Sequence, residues 1–245
     1  MDIKRKSVVI TGASSGLGEE TAIHLSKLGA ETILVARSRE RLAKVQSKIK
    51  AITQKSPLII ECDISSEDDV SNMVKKIREQ YEHVDVLINN AGIGKYVTSE
   101  EMSNEEMRKH FEVNVFGAFY CVKAVLPLMK NRSEGYILNV ASLFSLISFA
   151  DVSIYAATKF ALAGFTKGLR QEFKKHNIKV GLLMPASIDT PFQKKKQSER
   201  KSPAFMILKS TAVANEIAKM IKSGKKELIL PKWITPFIRI KCALS

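Results

Sequence analysis

Ser7-Val8-Val9-Ile10-Thr11-Gly12-Ala13-Ser14-Ser15-Gly16-Leu17-Gly18 decides the fold. A short apolar, β-branched run leads into seven residues holding three glycines and two serines, and then into an amphipathic stretch ending at Gly29. The order is strand, glycine turn, helix start. Amides at a helix N-terminus lack intrahelical acceptors and attract phosphate, and glycine lets main chain approach a pyrophosphate closely. Gly12, Ser14, Ser15, Gly16, Leu17 and Gly18 are therefore candidate ligand contacts, although the spacing is not G-x-G-x-x-G. A tight βα turn without a ligand is the plainer alternative. It is disfavoured because so much backbone freedom destabilises a turn that has no use for it.

The same rhythm continues outward. Strand-like runs fall near Val8–Thr11, Thr32–Ala36, Leu58–Cys62, Val84–Asn89, Tyr136–Val140, Lys179–Met184 and Glu227–Leu230, separated by helical patterns. Val70, Met73, Val74, Ile77 and Tyr81 form an apolar stripe preceded by Ser66-Glu67-Asp68-Asp69, the pattern of a capping box. Ser103-Asn104-Glu105-Glu106 opens another helix that runs through Asn114 toward Pro127. Alternating elements predict right-handed crossovers and a parallel sheet covered on both faces.

Composition bounds the alternatives. The chain has 245 residues, 45% of them hydrophobic, enough for one α/β domain spanning 1–245 with no internal repeat. No apolar run is read as membrane-spanning, and Met1-Asp2-Ile3-Lys4-Arg5-Lys6 leads into a strand and not a cleavable segment, so a soluble, cytoplasmic protein is expected. Cys62, Cys121 and Cys242 form no C-x-x-C pair, which suits small buried thiols and argues against a metal or disulfide framework. Thirty-nine Lys and Arg against 25 Asp and Glu leave a net charge of +14. These cations are scattered over helices, as in Arg39-Glu40-Arg41-Leu42-Ala43-Lys44, without interleaved aromatics, so no nucleic-acid partner is expected. The exception is Gln193–Ser202, either a basic lid or a solvated loop.

Tyr155 and Lys159 stand four residues apart and share one helix face. A free phenol titrates near ~10, and a neighbouring cation stabilises its phenolate enough for proton chemistry. Ser142, after an apolar run, could share a carbonyl oxygen with Tyr155. Taken alone, the pair is equally well a lysine stem packed on a ring.

Thr11-Gly12-x3-Gly16-x-Gly18, Asn89-Asn90-Ala91-Gly92, and Asn114, Ser142, Tyr155 and Lys159, in this order and across nearly the whole chain, resemble the short-chain dehydrogenase/reductase superfamily. The resemblance implies a Rossmann-like, doubly wound sheet of seven parallel strands in the order 3-2-1-4-5-6-7. It also implies a nicotinamide-dependent oxidoreductase in which Tyr155 is the acid/base, Ser142 its partner on the substrate oxygen, and Lys159 the anchor of the nicotinamide ribose. Asn114 would hold a water that links Lys159 to solvent, or buttress the neighbouring strand. Asn90, Ala91 and Gly92 would run along the cofactor, Asp63 would meet the adenine or cap the turn before Ser65, and Pro185, Ile188 and Thr190 would line the nicotinamide. Pro185-Ala186 departs from the family's Pro-Gly and leaves that loop's conformation less certain, because alanine restricts positive φ.

The residue after the second strand sits beside the adenosine ribose. Here it is Arg37, within Ala36-Arg37-Ser38, so NADP(H) is expected over NAD(H). The expected substrate is a small-molecule carbonyl or alcohol, with Leu143, Phe144, Leu146, Ile147 and Phe149 as an apolar pocket and 186–209 as a lid. A 3-oxoacyl group on a carrier protein is the alternative substrate, and a non-catalytic cofactor sensor or scaffold the alternative class. Trp233, Phe237, Ile240 and Leu244 recur at helical spacing in the apolar tail 231–245, expected to pack on the domain or across an oligomer and, less favoured, to touch a membrane surface. Family habit implies a homodimer or homotetramer through the helices carrying Asn114 and Tyr155.

Overall fold

Strand residues of alternating direction feed two separate cores. Val8 and Ile10 point to one face of the sheet and Val9 to the other. The computed structural model, which describes residues 1–130, 134–192 and 203–244, places them in β1 (Ser7–Thr11) at the sheet's centre. There follow α1 (Gly16–Lys27), β2 (Glu31–Ala36), α2 (Arg39–Thr53), β3 (Leu58–Glu61), α3 (Glu67–Arg78) and β4 (Val86–Asn89). After them come α4 (Asn104–Phe111), α5 (Gly117–Lys130), β5 (Gly135–Val140), α6 (Ser153–Glu172) and β6 (Ile178–Pro185). The chain closes with β7 (Ser187–Asp189), β8 (Ile207–Lys209), α7 (Ser210–Ser223), β9 (Glu227–Leu230) and α8 (Thr235–Leu244).

The main sheet has seven parallel strands in the order β3-β2-β1-β4-β5-β6-β9. Since β9 is the seventh strand of that sheet, this is the expected 3-2-1-4-5-6-7. Leu25 of α1, Leu42 and Val45 of α2, and Ile217 and Ile221 of α7 cover one face. Val70, Met73 and Ile77 of α3, Cys121 and Val125 of α5, and Leu169 of α6 cover the other. Crossing from β1 to β4 reverses the winding direction, and the carboxyl ends of strands at such a reversal form a crevice.

Capping signals do what their residue types allow. Ser38, Ser66 and Ser103 each accept a hydrogen bond from the backbone N–H three residues on. The helix opened by Ser103 is not uniform: five residues, Glu112–Phe116, form a π-helical turn between α4 and α5. By length and composition alone Asn104–Lys130 is apolar enough to cross a membrane, contrary to the expectation of no such run. Cys121, Val122, Val125, Leu128 and Met129 spend that apolarity on the core.

Two outcomes differ from the sequence reading. Leu146 packs into a third apolar cluster with Leu143, Leu162 and Met184 instead of lining a pocket. In the tail, Ile234 and Ile238 are the residues that pack inward, while Trp233, Phe237 and Ile240 stay exposed. The stripe at 233, 237 and 240 is thus the outer face of the tail. Pro236 sits in the first turn of α8, where a missing N–H costs nothing. The basic stretch 193–202, the middle of the expected lid, lies outside the described residues, as does the Leu244 side chain. The ends of the lid segment pair as a small parallel sheet, β7 with β8.

Candidate active site

Gly12 has φ +68°, and a Cβ there would lie 2.8 Å from the Ala91 Cα. At Gly18 a Cβ would run into the Gly12 carbonyl oxygen. Both positions therefore demand glycine: one for its dihedral angle, the other for close approach. Ser15 stands at the N-cap of α1 without a side-chain capping bond, so the first amides of the helix remain available. Thr11 ties this turn to the end of β4. Its hydroxyl accepts from Asn90 N (3.0 Å) and Ala91 N (3.1 Å), and Asn90 Nδ2 donates back to the Thr11 carbonyl (2.9 Å). Available helix amides beside bare backbone fit a pyrophosphate.

The second cluster gathers where α6 crosses the ends of β4 and β5. Lys159 is 4% exposed and donates to the Val140 carbonyl (3.2 Å), with Nζ 5.6 Å from the centre of the Tyr155 ring. Tyr155 and Ser142 are buried nearby. Burial raises the Tyr155 phenol above its ordinary value, opposed by its hydrogen bond with Ser142. Burial also lowers the Lys159 ammonium to about 8. Desolvation thus outweighs the phenolate stabilisation expected from spacing alone.

Asn114, in the π-helical turn, both accepts from Ile93 N (2.8 Å) and donates to Ile93 O (2.9 Å) and Thr158 Oγ1 (3.1 Å). It buttresses the segment after β4. Gly92 lies against it, since a Cβ there would be 3.1 Å from Asn114 Oδ1 and 3.6 Å from Lys159 Nζ. A second polar chain runs Asn89 to Asn139 (2.9 Å) to Thr166 (2.8 Å) and clamps α6 to the sheet.

One cavity of about 920 Å³ joins these features. Gly12, Ser14, Ser15, Gly16, Leu17, Gly18, Arg37, Asp63, Asn90, Ala91, Gly92, Ser142, Tyr155, Lys159, Pro185, Ile188 and Thr190 all line it. Asn114 stands behind the wall. Asp63 fills its capping role as well, accepting from Ser65 N (3.0 Å) and Ser65 Oγ (2.7 Å). The Thr190 hydroxyl donates to Ile188 O (3.3 Å). Ala186 brings no distortion: it is not among the residues with positive φ, and its N–H bonds Leu230 O at 2.8 Å. Burial pushes the Cys62 thiol up to about 12, which leaves it inert.

Phe144, expected in the apolar pocket, lies 6.0 Å from the Tyr155 ring. Sequence reading missed other cavity residues: Tyr96 lies 5.4 Å and Phe192 6.1 Å from that ring. Lys95 pairs with Glu106 (2.6 Å) and donates its backbone N–H to His110 Nε2 (3.0 Å). These contacts join residues 11 to 15 apart and have no periodic signature. Arg41 did leave a trace: with Arg39 it places cations in the first turn of α2, where the helix dipole favours anions.

A glycine-lined crevice for a dinucleotide that opens onto a buried phenol and amine defines the site of a nicotinamide-dependent oxidoreductase. Residues 6–201 match the family model for short chain dehydrogenase, and the chain belongs to that family. It shares 38% identity over 191 residues with an uncharacterised oxidoreductase of Staphylococcus saprophyticus, covering 77% of this chain and 76% of that one. With a 3beta-hydroxysteroid dehydrogenase of Mediterraneibacter gnavus it shares 32% over 233 residues, 94% of this chain and 84% of the other. Among solved structures, an alcohol dehydrogenase from Thermococcus sibiricus complexed with 5-hydroxy-NADP superposes with a TM-score of 0.84 at 30% identity, covering 93% of this chain and 96% of that one. A 3-ketoacyl-(acyl-carrier-protein) reductase from Brucella melitensis complexed with NADH superposes with a TM-score of 0.85 at 29%, covering 94% and 99%. The protein is an NAD(P)H-dependent oxidoreductase acting on carbonyl or alcohol substrates.

Gly18→Ala should weaken nicotinamide dinucleotide binding by about tenfold or more in a fluorescence titration. Gly164→Ala, whose added Cβ meets nothing within 4 Å, should leave it unchanged. Equal affinities for the two variants would remove the glycine turn from the site.

Proposed function

We propose that the protein reduces a bulky lipophilic ketone and prefers NADPH. The observation that carries this reading is the setting of the Tyr155 hydroxyl: beside Ser142, in a cavity walled by Tyr96, Phe144, Phe149 and Phe192. Such walls bury flat apolar surface and leave few polar groups to orient it. The likeness to a 3beta-hydroxysteroid dehydrogenase over most of both chains points the same way. Reduction of 3-oxoacyl groups on a carrier protein is the second reading, favoured by the likeness to a 3-ketoacyl-(acyl-carrier-protein) reductase.

A nicotinamide dinucleotide held by the glycine turn and Lys159 would supply the hydride for the carbonyl carbon. Tyr155 delivers its proton to the carbonyl oxygen as charge develops there, and Ser142 donates a hydrogen bond to the same atom. Because burial raises the phenol, Tyr155 holds its proton at neutral pH, the form that reduction needs. The Lys159 ammonium then compensates the phenolate, and Asn114 holds the adjoining backbone in place. At the adenosine end, Arg37 and Arg41 border the cavity and β2 ends without a carboxylate, an arrangement suited to a 2′-phosphate.

Tyr155→Phe should abolish turnover of a panel of ketones while NADPH affinity stays within about twofold, since only the hydroxyl is removed. Retained turnover would exclude its role. In the wild type, kcat/KM for reduction should fall as pH rises through about 8, because the ammonium form of Lys159 is populated below that value and lost above it. A profile flat to high pH would overturn this assignment. Arg37→Ala should weaken NADPH by about tenfold and leave NADH nearly unchanged. Tighter binding of NADH than NADPH by the wild type would reverse the cofactor preference.

A further inference from the structure

Between Ala91 and Val97 no backbone–backbone hydrogen bond forms among the described residues, so side chains must fix the course of this segment along the cavity. Thr11, Asn114 and His110 do so. Thr11 receives Asn90 N and Ala91 N, Asn114 clasps both polar groups of the Ile93 backbone, and His110 accepts from Lys95 N at 3.0 Å. Of these anchors, His110 is the one nearest Tyr96 along the chain.

His110 is a buried imidazole on α4, 4% exposed. Because Nε2 accepts from Lys95 N, the ring carries its proton on Nδ1, which donates to Glu106 O at 2.7 Å. The ring is thus held at both nitrogens. Lys95 is held a second time, by Nζ against the Glu106 carboxylate oxygens at 2.6 and 2.7 Å. The next residue is Tyr96, whose ring closes a triangle with those of Tyr155 (5.4 Å) and Phe144 (5.9 Å), themselves 6.0 Å apart. Tyr155 is carried by α6 and Phe144 by the helical turn after Ser142, whereas Tyr96 comes from an irregular segment. Its place in the triangle is therefore set by the tether one residue before it.

We propose that His110 is a positioning residue for substrate recognition: through Lys95 it places the Tyr96 ring as the face on which an aromatic ketone packs beside Tyr155. The inference rests on the lipophilic-ketone reading and adds the wall that selects the substrate's shape. Reduction of propiophenone and of butanone with NADPH checks it. His110→Leu leaves Lys95 N without its acceptor and should lower the preference for propiophenone over butanone by about tenfold, through KM, with kcat within about twofold. Tyr96→Leu should lower the same preference, and the double variant should lower it no further than the larger single effect. His110→Gln, whose amide oxygen stands as many bonds from Cβ as Nε2 does, should restore it. A loss shared equally by both ketones, additive effects in the double variant, or no recovery with Gln would each overturn the proposal. Binding of propiophenone to the NADP+ complex, read by quenching of the single tryptophan, Trp233, at the cavity wall, should follow the same variants without turnover. Wild-type binding without turnover would defeat the ketone-reduction reading alone. Turnover with an equal preference in all variants would defeat the role of His110 alone, and absence of wild-type binding would overturn both.

Discussion

An ammonium group taken out of water costs several kcal/mol unless it is hydrogen-bonded and its charge compensated. Lys159 is buried to 4% exposure at the carboxyl end of β5, where it donates to Val140 O. This one placement constrains much of what surrounds it. For a four-carbon stem to reach the strand end, α6 must cross close over the sheet, and the Asn139 bond to Thr166 fixes that crossing about two turns further on. Tyr155, one turn earlier, arrives at the cavity with it. Thr158, between them, receives the Asn114 amide and so locks the π-helical turn to the same helix. A widened turn in this position is a local irregularity with an identifiable partner on each side, which is where such bulges occur.

The opposed titration shifts follow from the same burial. Desolvation destabilises the phenolate and the ammonium alike, raising one group and lowering the other. Neither ion is comfortable alone, but a phenolate formed beside an ammonium relieves both. The pair is thus poised so that proton loss from Tyr155 is favoured only when charge develops next to it, a form of electrostatic preorganisation. Ser142, whose bond to Tyr155 opposes the shift, couples that response to the atom both hydroxyls address.

The sheet was legible because buried parallel strands are continuous β-branched runs, and because Ser38, Ser66 and Ser103 mark helix starts with a local chemistry that nothing distant overrides. The glycine turn and the Tyr155–Lys159 face were readable for the same reason: their spacing is short. Tyr96, Phe192 and the Lys95–Glu106–His110 group were not, since they meet across loops where sequence distance carries no period. The tail shows the subtler failure. Its stripe at 233, 237 and 240 has the right period for a helix, but periodicity does not say which face turns inward, and the neighbouring isoleucines won the core. At Ala186 the concern was conformational, and it vanished because the backbone there never enters the left-handed region.

The two ends of the cavity use charge in opposite ways. Beside Tyr155 it is one buried ammonium that a phenolate would compensate, whereas at the adenosine end it is exposed and in excess. Arg37 faces Asp63 at 3.9 Å, with side chains 63% and 38% exposed, a distance and exposure at which an ion pair contributes little. One oxygen of Asp63 is already committed to Ser65, so the carboxylate cannot hold the guanidinium in a bidentate grip. Arg41 stands in the first turn of α2, where the dipole gives a cation no support. Two guanidinium groups, one loosely held and one in an unfavourable field, gain most from a dianion placed between them and the helix start. An NADH ribose would offer them only hydroxyls, and this difference in electrostatic return is the physical basis for the proposed preference.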